Sequence, residues 1–453
     1  MDKINNIKRN YYLDSFSLLL YILVSFSFPT IYKVTIPLII GITLFQIYRL
    51  KSNKITSLYF SNTYFNLLVF SLVFFRSVHT IILVINICFH LYLIFKNNPI
   101  PKVKITKPEA YVFIFFGLIL LNYLIFVPNL RGVETYLYLI LYPLLFLCIK
   151  IQPFFLSIYK AINIYITAII IATIYLITIN IFFDKLTLST NTFFSDYLGI
   201  IHVYFGIFIG LAISFLLALN TQQKKYVTRN SDYFIITFLI IILVYIGARM
   251  ALLGVFLIMV ITIYKKIQLA WYNKSMILAI VMVGMFVISY NTIPRVKRGL
   301  DSIENIYASV KTKNEEDLIK NSWRNMYSRY LVTKYTIREI KENYLLGIGN
   351  KNVKDQISTR ITNDGYKYFE PINTHNQYLH FLVGMGIPSF LFFIWMLVYF
   401  YKNYSNTSFA LYFLIFFLII MLTESILVRV KGISVFYLFY LIFSYQEKKS
   451  FHV

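Results

Sequence analysis

The chain has 453 residues, of which 58% are hydrophobic, and its formal net charge is +24. Soluble domains are about 45–50% apolar, so this composition excludes an ordinary soluble protein and indicates an integral membrane protein. The cations lie in short segments between apolar runs, without a DNA- or RNA-binding motif among them, which argues against nucleic acid as a partner.

Apolar runs recur along the whole chain, and most have the length of about 17–25 residues that a membrane-spanning helix needs. They cover residues 15–31, 34–48, 57–75, 77–95, 110–127, 133–150, 155–183, 197–219, 232–247, 250–266, 275–293, 377–401, 407–424 and 430–445. The first run follows a basic N-terminus and lacks a small-residue cleavage site, so we predict a membrane helix and not a cleaved signal. The pattern predicts an all-α, polytopic membrane helix bundle of about 12–14 spans.

One polar insertion interrupts this pattern between residues 294 and 376. A connection of about 80 residues is far longer than most loops, and loops of that length tend to carry function. Within it, Ser322–Asn343 has apolar residues at helical spacing and is predicted to be an amphipathic helix that carries Arg324 and Arg329 near its start. We therefore divide the chain into an N-terminal transmembrane bundle (1–293), a large extracytoplasmic loop (294–376) and a C-terminal transmembrane bundle (377–453).

Basic residues alternate between the predicted connections on the two sides of the bundle. One set of connections carries clusters such as Arg49, Lys51 and Lys54, whereas the opposite set carries mostly single basic residues. Because basic residues concentrate in cytoplasmic loops, the alternation predicts that both termini are cytoplasmic. The long loop is then on the outer face of the membrane.

Several arginines lie at the predicted outer ends of helices, against this inward bias. They are Arg76, Arg131, Arg249 and Arg429. An arginine at mid-membrane costs about 2.5–3.5 kcal/mol on insertion scales and less near the interface, so each one alone is explained as an interfacial anchor. Several arginines near a histidine-bearing outer loop instead suggest an anionic substrate, because the planar guanidinium matches phosphate oxygens. A lipid-linked diphosphate lies at that depth.

His375 is the candidate general base. It lies in the polar segment Asn373–Gln377, directly before a predicted spanning helix. An imidazole titrates near neutrality and can accept a proton from a hydroxyl, which contributes about 10²–10⁴ in rate. The local sequence leaves open the alternative that this segment, with Asn376, is only a polar cluster that caps the helix.

The remaining polar residues in the spans have weaker signals. His79, His90 and His202 lie inside predicted spans and are expected to be buried and hydrogen-bonded. Glu424, five residues before Arg429, is expected to form an ion pair or to orient a catalytic arginine. The chain lacks His-x-x-x-His and Glu-x-x-His ligand spacings, so we predict no metal site and no cofactor. It also lacks an Asp-x-Asp motif, which argues against a cytoplasmic nucleotide-sugar glycosyltransferase.

Five short motifs occur in order across approximately residues 240–435. They are Gly247-Ala248-Arg249 before Met250-Ala251-Leu252-Leu253-Gly254, then Ser322-Trp323-Arg324, Glu342-Asn343-Tyr344-Leu345-Leu346-Gly347-Ile348-Gly349, His375-Asn376-Gln377-Tyr378-Leu379 with Gly386-Ile387-Pro388, and the pair Glu424 and Arg429. In this order they resemble the O-antigen ligase/O-antigen polymerase superfamily of bacterial membrane glycosyltransferases. The chain departs from the family pattern at Tyr344, where Pro is common, at Gly384, where Glu is frequent, and at Ser389, where Gly is frequent.

The resemblance implies a GT-C-like fold and a metal-independent, inverting transfer of an undecaprenyl-diphosphate-linked glycan. The reaction would take place at the outer face of the bacterial cytoplasmic (inner) membrane. His375 would deprotonate or orient the acceptor hydroxyl, and Arg249 would share in catalysis. By match to the motifs, Arg249, Arg324 and Arg429 would hold the diphosphate. Arg76, Arg131, Asn376 and Glu424 are further candidates for contact with the diphosphate or substrate, from their predicted positions at the outer face. The implied partners are the lipid-linked oligosaccharide, a glycan or lipid acceptor, membrane lipids and a chain-length regulator.

Four functions remain open at this point. A polymerase of O-antigen or capsule repeat units would use a second lipid-linked unit as acceptor, and the large number of predicted spans favours it. A ligase would use lipid A-core, and some relatives transfer glycans to protein. A flippase or transporter would not need the long loop and would carry charges deep within its spans, where this chain has almost none. A purely structural membrane partner would tolerate loss of His375.

Overall fold

The computed structural model describes residues 15–27, 31–52, 55–96, 104–127, 130–151, 156–182, 197–222, 230–266, 326–366 and 373–446. Within these ranges the regular elements are α-helices and two short 3-10 helices, without a β-strand. Inside a bilayer every backbone amide and carbonyl must be satisfied within its own segment, which long apolar helices achieve. The predicted all-α, polytopic membrane bundle is confirmed.

The α-helices are numbered here in chain order. They are α1 (Ser15–Ser25), α2 (Tyr32–Lys51), α3 (Ser57–Ser71), α4 (Arg76–Lys96), α5 (Lys107–Phe126), α6 (Tyr138–Ile151), α7 (Ile158–Phe182), α8 (His202–Gln222), α9 (Asn230–Ile246), α10 (Arg249–Lys266), α11 (Met326–Glu342), α12 (Val353–Asn363), α13 (Gln377–Tyr404), α14 (Ser408–Met421) and α15 (Val430–Gln446). The 3-10 helices are Val133–Tyr136 and Ile426–Val428.

Each predicted apolar run in the described part of the chain coincides with a helix. Seven segments of that part are long and apolar enough to cross a membrane: Lys33–Lys51, Arg76–Lys96, Lys107–Phe126, Val133–Ile151, Ile158–Phe182, His202–Thr221 and Gln377–Tyr404. Shorter apolar helices cover Ser15–Ser25, Ser231–Ile246, Ser408–Met421 and Val430–Tyr445. The predicted run at 275–293 lies outside the described residues, and the total of 12–14 spans stays a prediction.

The helices divide into two compact units that alternate along the chain. The first unit comprises Met1–Val112, Tyr138–Ala212 and Val430–Val453. Within it α4 packs against α3 and α6, α15 packs against α6, and α7 packs against α3.

A buried polar network holds the centre of the first unit together. The two ring nitrogens of His79 lie 2.7 Å from the hydroxyls of Ser71 and Tyr142. The Lys431 ammonium donates to the carbonyls of Leu72, at 2.8 Å, and Phe74, just beyond the last turn of α3. These carbonyls lack partners within their own helix, so the lysine completes the helix end. The expectation that His79 is buried and hydrogen-bonded is confirmed.

The second unit comprises Phe113–Leu137 and Ile213–Arg429. Its helices α10 and α14 pack closely against each other, and they run antiparallel. The Thr262 hydroxyl donates to the Tyr412 hydroxyl at 2.9 Å, while a Cβ at Gly254 would meet the Phe416 ring. The first turn of α10 therefore lies beside the last turn of α14.

The two helices of the predicted outer loop have their own small core in the second unit. Its buried residues are Leu331, Val332, Tyr335, Ile348, Val353, Ile357, Ile361 and Val383. Since Val383 belongs to α13, the core attaches α11 and α12 to that helix. The predicted loop helix is present from Met326 to Glu342, and its expected first residues, 322–325, lie outside the described part.

The helix α13 is interrupted at Gly386, and the loop Gly347-Ile348-Gly349 that follows α11 (the glycine loop) packs against this break. Gly386 has non-helical backbone angles (φ 74°, ψ 176°) two residues before Pro388, which frees the preceding carbonyls. The amides of Ile348 and Gly349 donate to the carbonyls of Val383 and Gly384 at 2.9 and 3.0 Å. The glycine loop therefore supplies the hydrogen bonds that the broken helix lacks.

Close packing at this break accounts for one departure from the family pattern. A Cβ built on Gly384 would lie 2.9 Å from Asn350 Cα and 3.0 Å from a Val353 methyl carbon. A side chain at this position would therefore displace the loop backbone. A glycine at this position lets the loop approach α13 directly.

Asn122 of α5 also hydrogen-bonds to this junction. Its side-chain amide donates to the carbonyls of Leu346, at 3.3 Å, and Gly384, at 2.9 Å. Its oxygen accepts a hydrogen bond from the Asn350 amide at 2.8 Å. One buried side chain thus connects α5, the glycine loop and the break in α13.

Candidate functional site

The turn before α13 holds His375 in an uncommon backbone conformation. Its φ is 49°, in the left-handed region that non-glycine residues adopt only when their surroundings compensate. The neighbouring Thr374 hydroxyl interacts with the Ser425 hydroxyl at 3.0 Å and donates to the Asn376 carbonyl at 3.1 Å. These contacts anchor the turn beneath the histidine.

Asn376 caps α13. This agrees with the alternative interpretation of the segment as a polar cluster that caps the helix. Its side-chain oxygen accepts from the Leu379 amide at 3.0 Å, which satisfies one of the unpaired donors of the helix start. Its amide group donates to the Leu422 carbonyl at 3.0 Å. The cap therefore also ties the histidine turn to the residues that follow α14.

The Glu424 carboxylate lies between His375 and Arg329. One oxygen is 3.5 Å from His375 Nδ1, and the other is 3.8 Å from an Arg329 terminal nitrogen. The first distance is that of an ion pair without a hydrogen bond, and the buried Nδ1 has no hydrogen-bond partner within the described residues. Such contacts are often long without substrate and tighten in the reacting complex. The side chains of His375 and Glu424 are 28% and 17% exposed, so solvent reaches both.

This arrangement has a definite chemical capacity. A carboxylate beside Nδ1 favours the tautomer with the proton on that nitrogen, which leaves Nε2 to accept a proton. It also stabilises the imidazolium that then forms. His375 and Glu424 can therefore act together as a general base, with Arg329 as an adjoining positive charge.

Arg249 lies at the same end of the second unit. It is the first residue of α10, and the chain enters that helix through Gly247, whose φ of 71° reverses its direction. Because α10 and α14 run antiparallel, the start of α10 lies beside the end of α14 at Met421. Glu424 follows three residues later. The exposed guanidinium and a helix N-terminus, both favourable to anions, are thus on the side of the unit that carries His375.

The other predicted arginines lie on different elements from Arg249. Arg131 is exposed directly before the 3-10 helix Val133–Tyr136, and Arg429 is exposed directly after the 3-10 helix Ile426–Val428. Arg76 begins α4 in the first unit and is also exposed. Arg324 lies outside the described residues.

A cluster of ion pairs fixes α11, the helix that carries Arg329, against α12. Arg360 of α12 pairs with both Glu339 and Glu342 of α11. Arg338 donates to Asp364 at 3.1 Å. The hydrogen bond from Arg360, followed by smaller contributions from Arg338, lowers the pKa of the Glu342 carboxyl below its usual value. The position of Arg329 therefore rests on a charged clamp as well as on the apolar core.

A cavity of about 410 Å³ lies in the second unit. Its lining residues are Tyr123, Gly132, Thr135, Tyr136, Asn350, Lys351, Lys354, Asp355, Asn373, His380, Val428 and Arg429. Most of these side chains are polar, and the set includes three cations and one carboxylate. Asn373 and His380 belong to the segment that contains His375.

Sequence reasoning missed the partners that the tertiary structure supplies. Arg329 was visible on the predicted helix, yet its contact with Glu424 joins residues that are far apart in the chain. Asn122 had no signal, since an asparagine near the end of a span is ordinary. Lys351 and Lys354 follow the glycine loop without a readable motif, so only the fold reveals that they line a cavity.

Comparison with known proteins gives one match to this region. Residues 233–394 match a family model described as O-antigen ligase, whereas no curated protein matches the chain. The matched range includes Arg249, Arg324 and His375 and ends within α13, so Glu424 and Arg429 lie beyond it. Family members are glycosyltransferase-like enzymes, and the match confirms the resemblance indicated by the ordered motifs. Residues 233–394 are therefore similar to the O-antigen ligase/polymerase superfamily of membrane proteins.

Proposed function

We propose that the protein transfers a glycan from an undecaprenyl-diphosphate carrier to an acceptor hydroxyl at the outer face of the bacterial cytoplasmic membrane. The observation that carries the proposal is the placement of Glu424 between His375 and Arg329 at the end of the unit where α10 begins. A base, its orienting carboxylate and cations for a leaving diphosphate are what this reaction needs.

The proposed reaction is a single displacement. The acceptor oxygen attacks the anomeric carbon of the donor sugar, and the bond from that carbon to the diphosphate oxygen breaks as the new glycosidic bond forms. His375 takes the hydroxyl proton, and Glu424 stabilises the resulting imidazolium. Attack opposite the leaving group inverts the anomeric configuration.

The leaving diphosphate keeps the bonding electrons and its lipid. Arg249 and Arg324 would hold it, with Arg329 close to the base. Arg76, Arg131 and Arg429 remain predicted contacts of the donor or acceptor. Fixed cations aimed at developing negative charge supply electrostatic stabilisation, so the proposal includes no metal ion.

The topology follows from the same proposal. Residues 294–376 would lie on the outer face between transmembrane bundles at 1–293 and 377–453, and both termini would be cytoplasmic. The acceptor distinguishes two versions of the function. We place a repeat-unit polymerase first because of the predicted span number, and a ligase acting on lipid A-core second because the matching family model is described as O-antigen ligase.

The test is the surface-polysaccharide gel profile of a deletion strain complemented with wild type, His375→Ala or Lys341→Ala. Lys341 is exposed on α11 and serves as the control, with membrane levels of all three proteins compared by immunoblot. A single repeat unit on the lipid core without the gene indicates a polymerase. Loss of surface glycan with long polymer on the carrier lipid indicates a ligase. A normal ladder with His375→Ala would contradict the proposed base.

Two further measurements address the chemistry. Arg249→Ala is expected to abolish product while the protein still inserts, because the leaving diphosphate loses a cation. EDTA is expected to leave transfer by the purified protein unchanged. Loss of transfer that a divalent ion restores would contradict the metal-free reaction.

A further inference from the structure

We propose that the polar cavity of the second unit, lined by Lys351, Lys354 and Arg429 among others, binds an acidic sugar residue of the acceptor glycan. The ligand class is a carboxylate-bearing saccharide. The identification of this saccharide as the acceptor rests on the proposed function, whereas the binding site itself does not.

The size and lining of the cavity suit a sugar. Its volume of about 410 Å³ is within the range of about 300–1,000 Å³ typical of small-molecule sites. Tyr123 and Tyr136 contribute aromatic rings whose centroids are 6.1 Å apart, at 65° to each other. Amide and hydroxyl groups of Asn373 and Thr135 complement sugar hydroxyls. A lipid chain would instead need a predominantly apolar wall.

The charges in the lining favour an anion. Lys351, Lys354 and Arg429 outnumber the single carboxylate of Asp355. Within the described residues, Lys351 and Lys354 have no ion-pair partner, so their charges are available to a ligand. Both lysines are exposed, which places them where a solvated carboxylate can reach them.

Buried polar atoms of the lining point to a ligand independently of these charges. His380 Nε2 and Asn350 Oδ1 are buried without a hydrogen-bond partner in the part of the chain described, although the Asn350 backbone lies beside the His380 ring. Asn350 is held in place by its hydrogen bond to the Tyr136 hydroxyl at 2.6 Å. A buried polar atom without a hydrogen-bond partner calls for an explanation, and a bound ligand is one. Here two of them belong to residues that line one cavity.

The cavity adjoins the proposed base through one short segment. Asn373 lines the cavity two residues before His375, and the Thr374 hydroxyl lies 3.5 Å from His380 Nδ1. Arg249 is not among the lining residues. A sugar held here by its carboxylate would extend toward His375, while the donor diphosphate is held elsewhere.

The experiment is a binding titration of the full-length protein in lipid nanodiscs. The probes are digalacturonate and its neutral counterpart galactobiose, which have the same ring skeleton and differ in charge. We expect digalacturonate to bind about tenfold more tightly than galactobiose. Equal affinities would overturn the proposal.

Variants assign the preference to the cavity. The double variant Lys351→Gln/Lys354→Gln is expected to lose the preference for the acid, whereas Lys351→Arg/Lys354→Arg, which retains both charges, and the surface control Lys341→Gln should keep it. The unchanged preference of the double Gln variant would overturn the assignment. Displacement of digalacturonate by inorganic diphosphate would also overturn it, because the cavity would then be the diphosphate site.

The binding titration and the transfer assay test the cavity proposal and the proposed function independently of each other. His375→Ala should keep the acid preference while it loses transfer. Acid preference in a wild-type protein that transfers no glycan would contradict the proposed function alone. Transfer by a protein that binds both disaccharides equally would contradict the cavity proposal alone.

Discussion

Two histidines, one in each unit of the protein, differ in how completely their ring nitrogens are hydrogen-bonded. In the first unit both ring nitrogens of His79 have hydroxyl partners, and Lys431 donates to carbonyls beyond the end of α3. In the second unit His375 Nδ1 faces Glu424 without a hydrogen bond. Buried polar atoms without a hydrogen-bond partner occur in both units, for example Asn86 Oδ1 and Asn350 Oδ1, so the contrast concerns these two histidines alone. A satisfied polar group stabilises a fold, whereas an unsatisfied one is costly and calls for an explanation such as a ligand or a reaction.

Backbone conformation follows the same division. Among the described residues, the non-glycine residues with positive φ are Leu130 and His375, and both belong to the second unit. The same unit contains the break at Gly386. Unusual backbone angles tend to collect at functional sites because the surrounding structure must stabilise them. The first unit therefore resembles a scaffold, and the second carries the candidate chemistry.

The largest effect on the rate of transfer is expected from substitution of His375, and substitution of His79 is the comparison. His375→Ala should reduce transfer by about 10²–10⁴ because general-base help is lost, with little change in thermal stability. His79→Ala should instead lower the unfolding temperature, since the Ser71 and Tyr142 hydroxyls lose their partner. Product formation per folded molecule and thermal unfolding in detergent measure the two effects. Similar rate losses in both variants would break the comparison between the units.

Substitution of the orienting carboxylate should have the next largest effect. Glu424→Gln preserves size but removes the charge beside Nδ1, so transfer should fall about tenfold to a hundredfold through a weaker general base. Glu342→Gln, which removes a carboxylate from the clamp between α11 and α12, is the matched control and should retain most of the activity. Transfer rates at saturating substrate measure both. Equal rates in the two variants would mean that Glu424 only positions Arg329.

Removal of the buried ammonium tests the scaffold role of the first unit. Lys431→Met leaves the Leu72 and Phe74 carbonyls without a donor, which should cost about 1–3 kcal/mol of stability for an unsatisfied buried group. Thermal unfolding reports the loss, and transfer per folded molecule should stay unchanged. A reduced rate at full stability would show that the first unit also takes part in the chemistry.

The smallest expected effect concerns the clamp that positions Arg329. The hydrogen bond from Arg360 lowers the pKa of Glu342, so its stabilisation is fully present above the usual glutamate pKa. That stabilisation is lost as the pH falls through the lowered value. The exposed pair is screened by solvent and salt. The difference in unfolding temperature between wild type and Glu342→Gln should therefore be small at neutral pH and vanish in acid. A difference that persists at low pH would exclude this carboxylate as its source.

Much of the fold was predictable because its determinants are local. The length of an apolar run reports whether a helix can cross a bilayer, and the period of 3.6 residues reports an amphipathic helix. Both signals are contained in one stretch of chain, which is why the helices and the start of α13 at Gln377, two residues after His375, agree with expectation. The polar turn, its histidine and the arginine at Gly247-Ala248-Arg249 were visible for the same reason.

The sequence by itself determined a helical membrane protein, the segments that form its helices, the candidate base and the resemblance to a family. Only the tertiary structure decided the partners: Glu424 with His375 and Arg329, Asn122 with the break in α13, and the lysines that line the cavity. The physical reason is that helix formation in a bilayer depends on backbone hydrogen bonds within each segment. Contacts between distant residues depend instead on how close-packed helices fit together, which no single stretch of sequence specifies.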